Sequence, residues 1–395
     1  MALSGLMNGG DCCEWESRES VRSILILIDT IDSARIGDTI IWLSRFKYIQ
    51  HYFPHAGLHV NAPSPFWNEL ALYLPHIRRV SNLPPAELDL KGYDVVLLIV
   101  DDEAAFLAMV EAYVRRHPGI SLSVAFIYHP FVKSMEGKRI PFLKRLFEFS
   151  YPGLLVEDIN RCEICLSEEE MLQAGRLLQE KAPEGGLIIY FDRASEFRKM
   201  LKMSVNVQLI KYLQSRAGCR LVLFDPFEEK KDEFYGRLGV DMEKTVLLKG
   251  LSVRQACAVM ADKRVVMILG PCTGLMHAAS GVYNFLLKKK LRDVLPAMIV
   301  FTGVYEDLGN AGIWWEGRLA DCIIIKATKE GDKKLFRLDE VDPLEMRLQK
   351  DILPCKEYTF DLIREYIELH YVIPDIDKIG HPLYQNRTFS SSSSR

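Results

Sequence analysis

The sequence has little that would form a secretory leader, and none is expected. Asp11, Glu14, Glu16 and Glu19 interrupt the first twenty residues, and the first apolar run, residues 24–28, is too short for a leader core or for the roughly 20 residues of a membrane span. The protein is therefore expected to be cytoplasmic. It lacks a surplus of either charge, with 50 Lys and Arg against 53 Asp and Glu and a net charge of −3. No overall field draws in nucleic acid, and none is expected as a partner. Paired metal motifs are missing as well. Cys162-x-x-Cys165 has neither a second such pair nor a spaced histidine pair to complete a zinc site. Nine cysteines scattered along 395 residues fit reduced thiols better than a disulfide framework.

What is present is ordinary globular composition, 49% hydrophobic and 26% charged, at a length that divides into two domains. Unbroken apolar runs predict strands covered on both faces at 23–28, 58–61, 95–100 and 122–127, with helices between them. Breakers then cluster at Ala182-Pro183-Glu184-Gly185-Gly186, the expected hinge. Strands resume at 187–191, 220–224, 245–248, 265–269 and 297–301. The expected organisation is a disordered 1–20, a first Rossmann-like α/β domain at 21–182 and a second at 187–355. A C-terminal helix within 356–385 then returns to the first domain, followed by a disordered tail at 386–395.

Residues 265–280 carry the strongest motif. An apolar run stops at Gly270-Pro271, a small turn follows at Cys272-Thr273-Gly274, and a helix-compatible segment begins near Leu275. Unpaired N–H groups at such a helix start, beside a glycine that permits close approach, suit a phosphate. Ligands of α/β sheets gather at the carboxyl ends of strands. Other strand ends carry chemistry too. Gly37-Asp38 follows the first strand through a polar loop, ahead of a helix expected from about Thr39, and Asp38 fits a general base or an N-terminal helix cap. Asp101-Asp102-Glu103 ends another strand and suits Mg²⁺ or helix capping. Ser195 and Lys199 follow the strand at 187–191, where a lysine is a compact cation for a diphosphate or a surface residue before a helix. Residues 138–147 interleave bases with apolar groups, a composition compatible with an anionic membrane surface or with a solvated loop.

Taken together, Thr273-Gly274-Leu275-Met276-His277, the Gly37-Asp38 opening with Phe53-Pro54 after its helix, and Ser195 with Lys199 resemble the family 9, heptosyltransferase-like glycosyltransferases. The sequence departs from that family's pattern at Ser44, Leu201, Cys272 and Leu275. The resemblance implies a GT-B fold, two Rossmann-like domains facing a central cleft. It implies an inverting, metal-independent transfer of a heptose-like sugar from a nucleoside-diphosphate sugar, ADP-heptose among the candidates, to a hydroxyl of a glycan or glycolipid acceptor. That co-substrate would be the only small molecule required, with no resident cofactor or metal. By the same match Asp38 is the catalytic base and Gly37 belongs to the acceptor-side loop, while Ser195, Lys199, Thr273, Gly274, Met276 and His277 hold the donor. Trp314 or Trp315 fits stacking on a base or sugar, or plain packing. A peripheral contact with the inner face of a membrane, through residues 138–147, would suit a glycolipid acceptor. Two other classes stay open: a metal-dependent nucleotide-sugar enzyme using Asp101 and Asp102, and a degenerate GT-B-fold binding or scaffold protein.

Overall fold

Runs that are apolar at every position need cover on both faces, and the structure places them in two largely parallel sheets flanked by helices. The structure, a computed structural model, describes residues 18–29, 35–100, 102–118, 123–126, 162–216, 218–304 and 319–371. The first sheet contains β1 (Ser23–Asp29), β2 (Gly57–Asn61), β3 (Ile77–Ser81), β4 (Val95–Val100) and β5 (Ser123–Phe126), all parallel, in the order β3-β2-β1-β4-β5. Its helices are α1 (Ile36–Tyr52), α2 (Phe66–Ala71) and α3 (Glu103–Arg116). In α1, Trp42, Phe46 and Ile49 recur at helical spacing and are buried, with Phe53 just beyond; Phe46 stacks on Trp67 of α2 at 6.0 Å.

Helix α4 (Glu168–Lys181) begins at a capping box in which Ser167 and Glu170 satisfy each other's backbone N–H groups. The second sheet contains β6 (Gly186–Tyr190), β7 (Cys219–Asp225), β8 (Thr245–Lys249), β9 (Val265–Pro271), β10 (Ala297–Thr302), β11 (Asp321–Ala327) and β12 (Lys333–Arg337), in the order β12-β11-β10-β9-β6-β7-β8. Only β12 runs antiparallel, pairing with β11 at one edge. The accompanying helices are α5 (Met203–Gln214), α6 (Lys231–Arg237), α7 (Val253–Met260), α8 (Gly274–Lys288), α9 (Pro343–Leu348) and α10 (Phe360–His370). Among the described residues no helix is long and apolar enough to cross a membrane.

Several boundaries differ from the sequence reading. Helix α1 starts at Ile36, not near Thr39, so Gly37 and Asp38 lie inside its first turn. Arg35 occupies the cap position. Strands β3, β11 and β12 add to the expected set. The expected hinge at 182–186 joins α4 to β6, yet α4 already packs on α7 of the second sheet. Residues 162–164, too, already contact the second sheet's helices. There Ile164 donates its N–H to Gly281 of α8 at 3.1 Å, and Asn284 donates to the Cys162 carbonyl at 3.0 Å. Helix α10 packs on α5 and β12 over its described length, and the remainder of the segment expected to return to the first domain, 372–385, lies outside the described residues.

The halves share one hydrophobic core, with α1 packed along α8. Two charged groups reinforce the joint. Glu163 accepts from Lys47 of α1 at 3.0 Å and from Lys288 of α8 at 2.9 Å. Arg254 of α7, buried, donates to the Glu69 carbonyl of the first half at 3.0 Å, to the Cys165 carbonyl and to Glu170. Such a guanidinium tolerates burial because its donors are used.

His76 sits beneath α1, where its Nε2 lies 3.3 Å from the Leu43 carbonyl. Burial, reinforced by the Lys47 ammonium and opposed in part by that hydrogen bond, pushes its pKa down from 6.5 to about 4. The unfolded imidazole therefore takes up a proton near pH 6.5 that the folded one refuses until about pH 4. Stability from this group is complete above pH 6.5 and falls as pH drops towards 4, by up to about 3 kcal/mol. Urea unfolding across that range should show a shallower decline for His76→Gln than for the parent; equal slopes would contradict the assignment.

Candidate functional site

Each sheet has one place where chain order reverses. In the first sheet β1 lies between β2 and β4; in the second β6 lies between β7 and β9. At such a reversal the following connections leave in opposite directions and open a crevice at the carboxyl ends of the strands. The residues singled out from sequence as the base, its neighbour and the donor-holding set follow strands at these two points. Gly37 and Asp38 come after β1, Ser195 and Lys199 after β6, and Thr273, Gly274, Met276 and His277 after β9.

Glycines bring the two points together. A Cβ at Gly270 would lie 2.6 Å from the Phe191 carbonyl oxygen, so a side chain there would push the ends of β9 and β6 apart. A Cβ at Gly274 would lie 2.8 Å from both the Gly37 nitrogen and the Ile36 Cβ, and one at Gly37 would lie 3.4 Å from the His277 ring. Thus α1 and α8 meet amino end to amino end. The absence of a side chain at Gly274 admits the first turn of α1. Met276 and His277 donate their N–H groups to the Thr273 carbonyl at 3.0 and 3.2 Å, while helix geometry leaves the Gly274 and Leu275 amides without an intrahelical acceptor. Two positive helix ends side by side repel, and an anion beside them relieves that repulsion.

The side chains around this contact are strongly polar. Glu196 lies 3.2 Å from the Arg35 guanidinium, 2.6 Å from that of Arg198 and 3.2 Å from the Lys199 ammonium. Burial alone would raise the Glu196 pKa, but Lys199 and Arg198 outweigh it and hold the carboxyl below its ordinary value. Beneath this loop the Asp192 carboxylate accepts from the Lys231 ammonium at 2.5 Å and from the Tyr235 hydroxyl at 2.6 Å, all three buried. Burial and the Asp192 charge push the Tyr235 phenol far above its usual range. Asp225, at the end of β7, accepts the Glu229 and Lys231 backbone N–H groups at 2.9 and 3.3 Å. These bonds fix the floor on which the 193–199 loop rests.

Asp38 is half-buried in the first turn of α1, Ser195 is exposed, and Lys199 is largely covered with its charge on Glu196. His277 is 4% exposed, its Nε2 3.9 Å from the Cys272 thiol. Met276 is 0% exposed, so its side chain belongs to the core and only its backbone borders the site. Ser44, buried, bonds the Ile41 carbonyl at 2.6 Å. The carboxylate trio divides: Asp102 caps α3 by accepting from the Ala105 N–H at 3.0 Å, and Asp101 lies outside the described residues. Segment 138–147 and Trp314 with Trp315 also lie outside them. Among the described residues no group of three His, Cys, Asp or Glu is placed to hold a metal ion. The sequence reading passed over Arg35, Glu196 and Arg198. Their signal was a lone acid flanked by bases in Arg193-Ala194-Ser195-Glu196-Phe197-Arg198-Lys199, and an arginine just before the helix that carries Asp38.

Gly274→Ala should cost about 1–3 kcal/mol, because the new methyl meets backbone as well as a side chain. Gly236→Ala, in α6 with open space around it, should be neutral or stabilise by about 0.5–1 kcal/mol. Urea midpoints measure both, and equal shifts would remove the close-contact argument.

A comparison by sequence finds no matching family model and no matching curated relative. Solved structures do match. The chain is similar to a family 9 glycosyl transferase from Veillonella parvula DSM 2008, at 13% identity over 88% of this chain and 96% of that one, with a TM-score of 0.57. It is also similar to E. coli ADP-heptose lps heptosyltransferase II, at 17% identity over 83% and 97%, with a TM-score of 0.51. At these identities the likeness shows the fold, and the fold is GT-B.

Proposed function

We propose that the protein is an inverting glycosyltransferase that moves a sugar from a nucleoside-diphosphate sugar to an acceptor hydroxyl. The observation that carries this reading is the meeting of the two sheets' reversal points, Gly37-Asp38 against Gly274-His277, with the basic 193–199 loop alongside. The similarity to a family 9 glycosyl transferase and to a heptosyltransferase supports it. In this reading the diphosphate lies by the amides at the start of α8 and the Lys199 ammonium, with the acceptor on the side of the first sheet. Asp38 takes the proton of the acceptor hydroxyl as its oxygen attacks the anomeric carbon. The bond from that carbon to phosphate oxygen breaks, and its electron pair leaves on the nucleoside diphosphate. Negative charge grows on the leaving phosphate, so fixed cations and N–H donors accelerate the step. A heptose-like sugar, ADP-heptose as donor, a glycan or glycolipid acceptor and a cytoplasmic setting at the inner face of a membrane complete the proposal. Asp102, committed to capping α3, favours the metal-independent form.

A thermal-shift panel of nucleoside diphosphates and nucleotide sugars, with and without EDTA, tests donor class and metal together. A bound donor stabilises by mass action, by about 2.7 kcal/mol at a hundredfold excess over its dissociation constant. Lys199→Ala should weaken nucleotide binding about tenfold, as expected when a charged hydrogen bond is lost. Asp38→Asn should leave nucleotide binding intact and lower transfer by at least about a hundredfold. Undiminished transfer by that variant would remove Asp38 from the mechanism.

A further inference from the structure

Two phenylalanines stand almost wholly in solvent on the edge of the second sheet that carries the donor-site residues. Phe197, in the turn after β6, is 87% exposed, and Phe227, in the turn after β7, is 81% exposed. Neither ring hangs on a loose loop. In the turn after β7 the buried Asp225 carboxylate accepts the Glu229 and Lys231 N–H groups, and the Asp225 carbonyl accepts those of Glu228 and Gly250 at 3.2 and 3.1 Å. Glu228 and Lys230 take left-handed backbone, at φ 52° and 59°, a conformation that residues other than glycine rarely adopt. The Lys231 ammonium is anchored on buried Asp192, just after β6, and Arg193 pairs with Glu229, so the two turns are tied to each other. Backbone strain and a buried ion pair thus hold in place a turn that presents a bare aromatic ring to water. Phe197 shares its own short turn with Ser195 and Lys199.

We infer that Phe197 and Phe227 form an aromatic platform for the base of a nucleoside diphosphate. This rests on the donor reading above and extends it from the phosphates to the nucleoside. The transferred sugar has to face Asp38, on the helix of the first half that meets α8. The nucleoside leaves the diphosphate on the other side, along the carboxyl edge of the second sheet. From the start of α8, after β9, that edge runs through β6 to β7, two strand spacings or about 10 Å away. A phosphate and a ribose together span a gap of that order, which sets a planar base beside Phe227, with Phe197 on the strand between. Every nucleobase offers a π-face, so stacking on aromatic side chains adds affinity whichever base is held. A platform that is already rigid loses little freedom when the base arrives. The rings therefore supply affinity for the nucleoside that contacts to the phosphates cannot.

The test is calorimetric titration of the full chain with ADP, with UDP and, separately, with inorganic pyrophosphate. The nucleotides should bind more tightly than pyrophosphate. Phe227→Ala should weaken the tighter nucleotide about tenfold and Phe197→Ala about fivefold, the size expected when a stacking contact is lost, while pyrophosphate binding changes by less than about twofold. Both side chains are exposed, so neither substitution opens a cavity. Phe227→Trp should hold the nucleotide at least as tightly as the parent, and the fluorescence of the added tryptophan should be quenched by the nucleotide and not by pyrophosphate. Unchanged nucleotide binding by both alanine variants, or equal losses for nucleotide and pyrophosphate, overturns the platform; one unresponsive variant removes that ring from it. Release of the alanine variants from phosphatidylcholine–phosphatidylglycerol vesicles that the parent binds, with nucleotide binding intact, would assign the rings to a lipid surface and overturn it as well. Base-dependent binding that follows this pattern in a protein that turns over no nucleotide sugar would sink the transferase reading and leave the platform standing. Nucleotide-sugar turnover with undiminished nucleotide binding by both alanine variants would do the reverse.

Discussion

The close approach of Gly37 and Gly274 is the constraint on which the rest depends. Two helices from different sheets meet at their amino ends here because Gly274 carries no side chain at the crossing, since a Cβ there would lie 2.8 Å from the Gly37 nitrogen and from the Ile36 Cβ. That contact sets the distance between Asp38 on α1 and the turn after β9. It also lets Arg35, one residue before α1, reach Glu196 in the loop after β6. The same crossing extends into a shared hydrophobic core along α1 and α8, whose large side chains each contribute roughly 1.5–3 kcal/mol on burial. Packing energy is thus used to hold together two positive helix ends that would otherwise separate.

Charge placement follows from that tension. Close to the crossing the Glu196 carboxylate pairs with Arg35, Arg198 and Lys199, and Lys199 and Arg198 hold its carboxyl below the ordinary value. At Asp192, Lys231 and Tyr235 the charged groups are buried and hydrogen-bonded to one another. The difference is one of solvent access. A buried unmatched charge costs several kcal/mol and is not tolerated, whereas a partly exposed ion pair contributes little and can rearrange at little cost. The buried network is therefore the rigid part and the Glu196 cluster the adaptable one.

The parts of the fold legible from sequence were those whose pattern admits one reading. Strands β1, β4 and β6 are apolar at nearly every position, and buried parallel strands demand that. β3 escaped because Arg78 and Arg79 sit consecutively in an edge strand of the first sheet with two exposed side chains, and β12 because Lys333 and Lys334 mark an edge of the second. The start of α1 was misplaced because neither Arg35 nor Ile36 is a customary start signal; the helix begins there for tertiary reasons, to bring Gly37 against α8. The motif after β9 was legible as strand, turn and helix. That Gly274 serves helix contact, and that Met276 faces the core, depended on a partner some 240 residues away in sequence, a relation no local pattern holds.

The segment at 162–170 explains why the joint is firm without a large polar interface. Its backbone meets α7 and α8, giving Cys162 O to Asn284, Cys165 O to Arg254 and the Ile164 N–H to the Gly281 carbonyl. Glu163 then reaches a lysine on each side, and Arg254 ties the segment to Glu69 of the first half. Each bond is modest, and breaking one leaves a buried donor or acceptor unsatisfied, so the set is lost together or kept together. The set ties α1, α7 and α8 to one short stretch of chain, so a shift of either half at the joint disturbs several of these bonds at once.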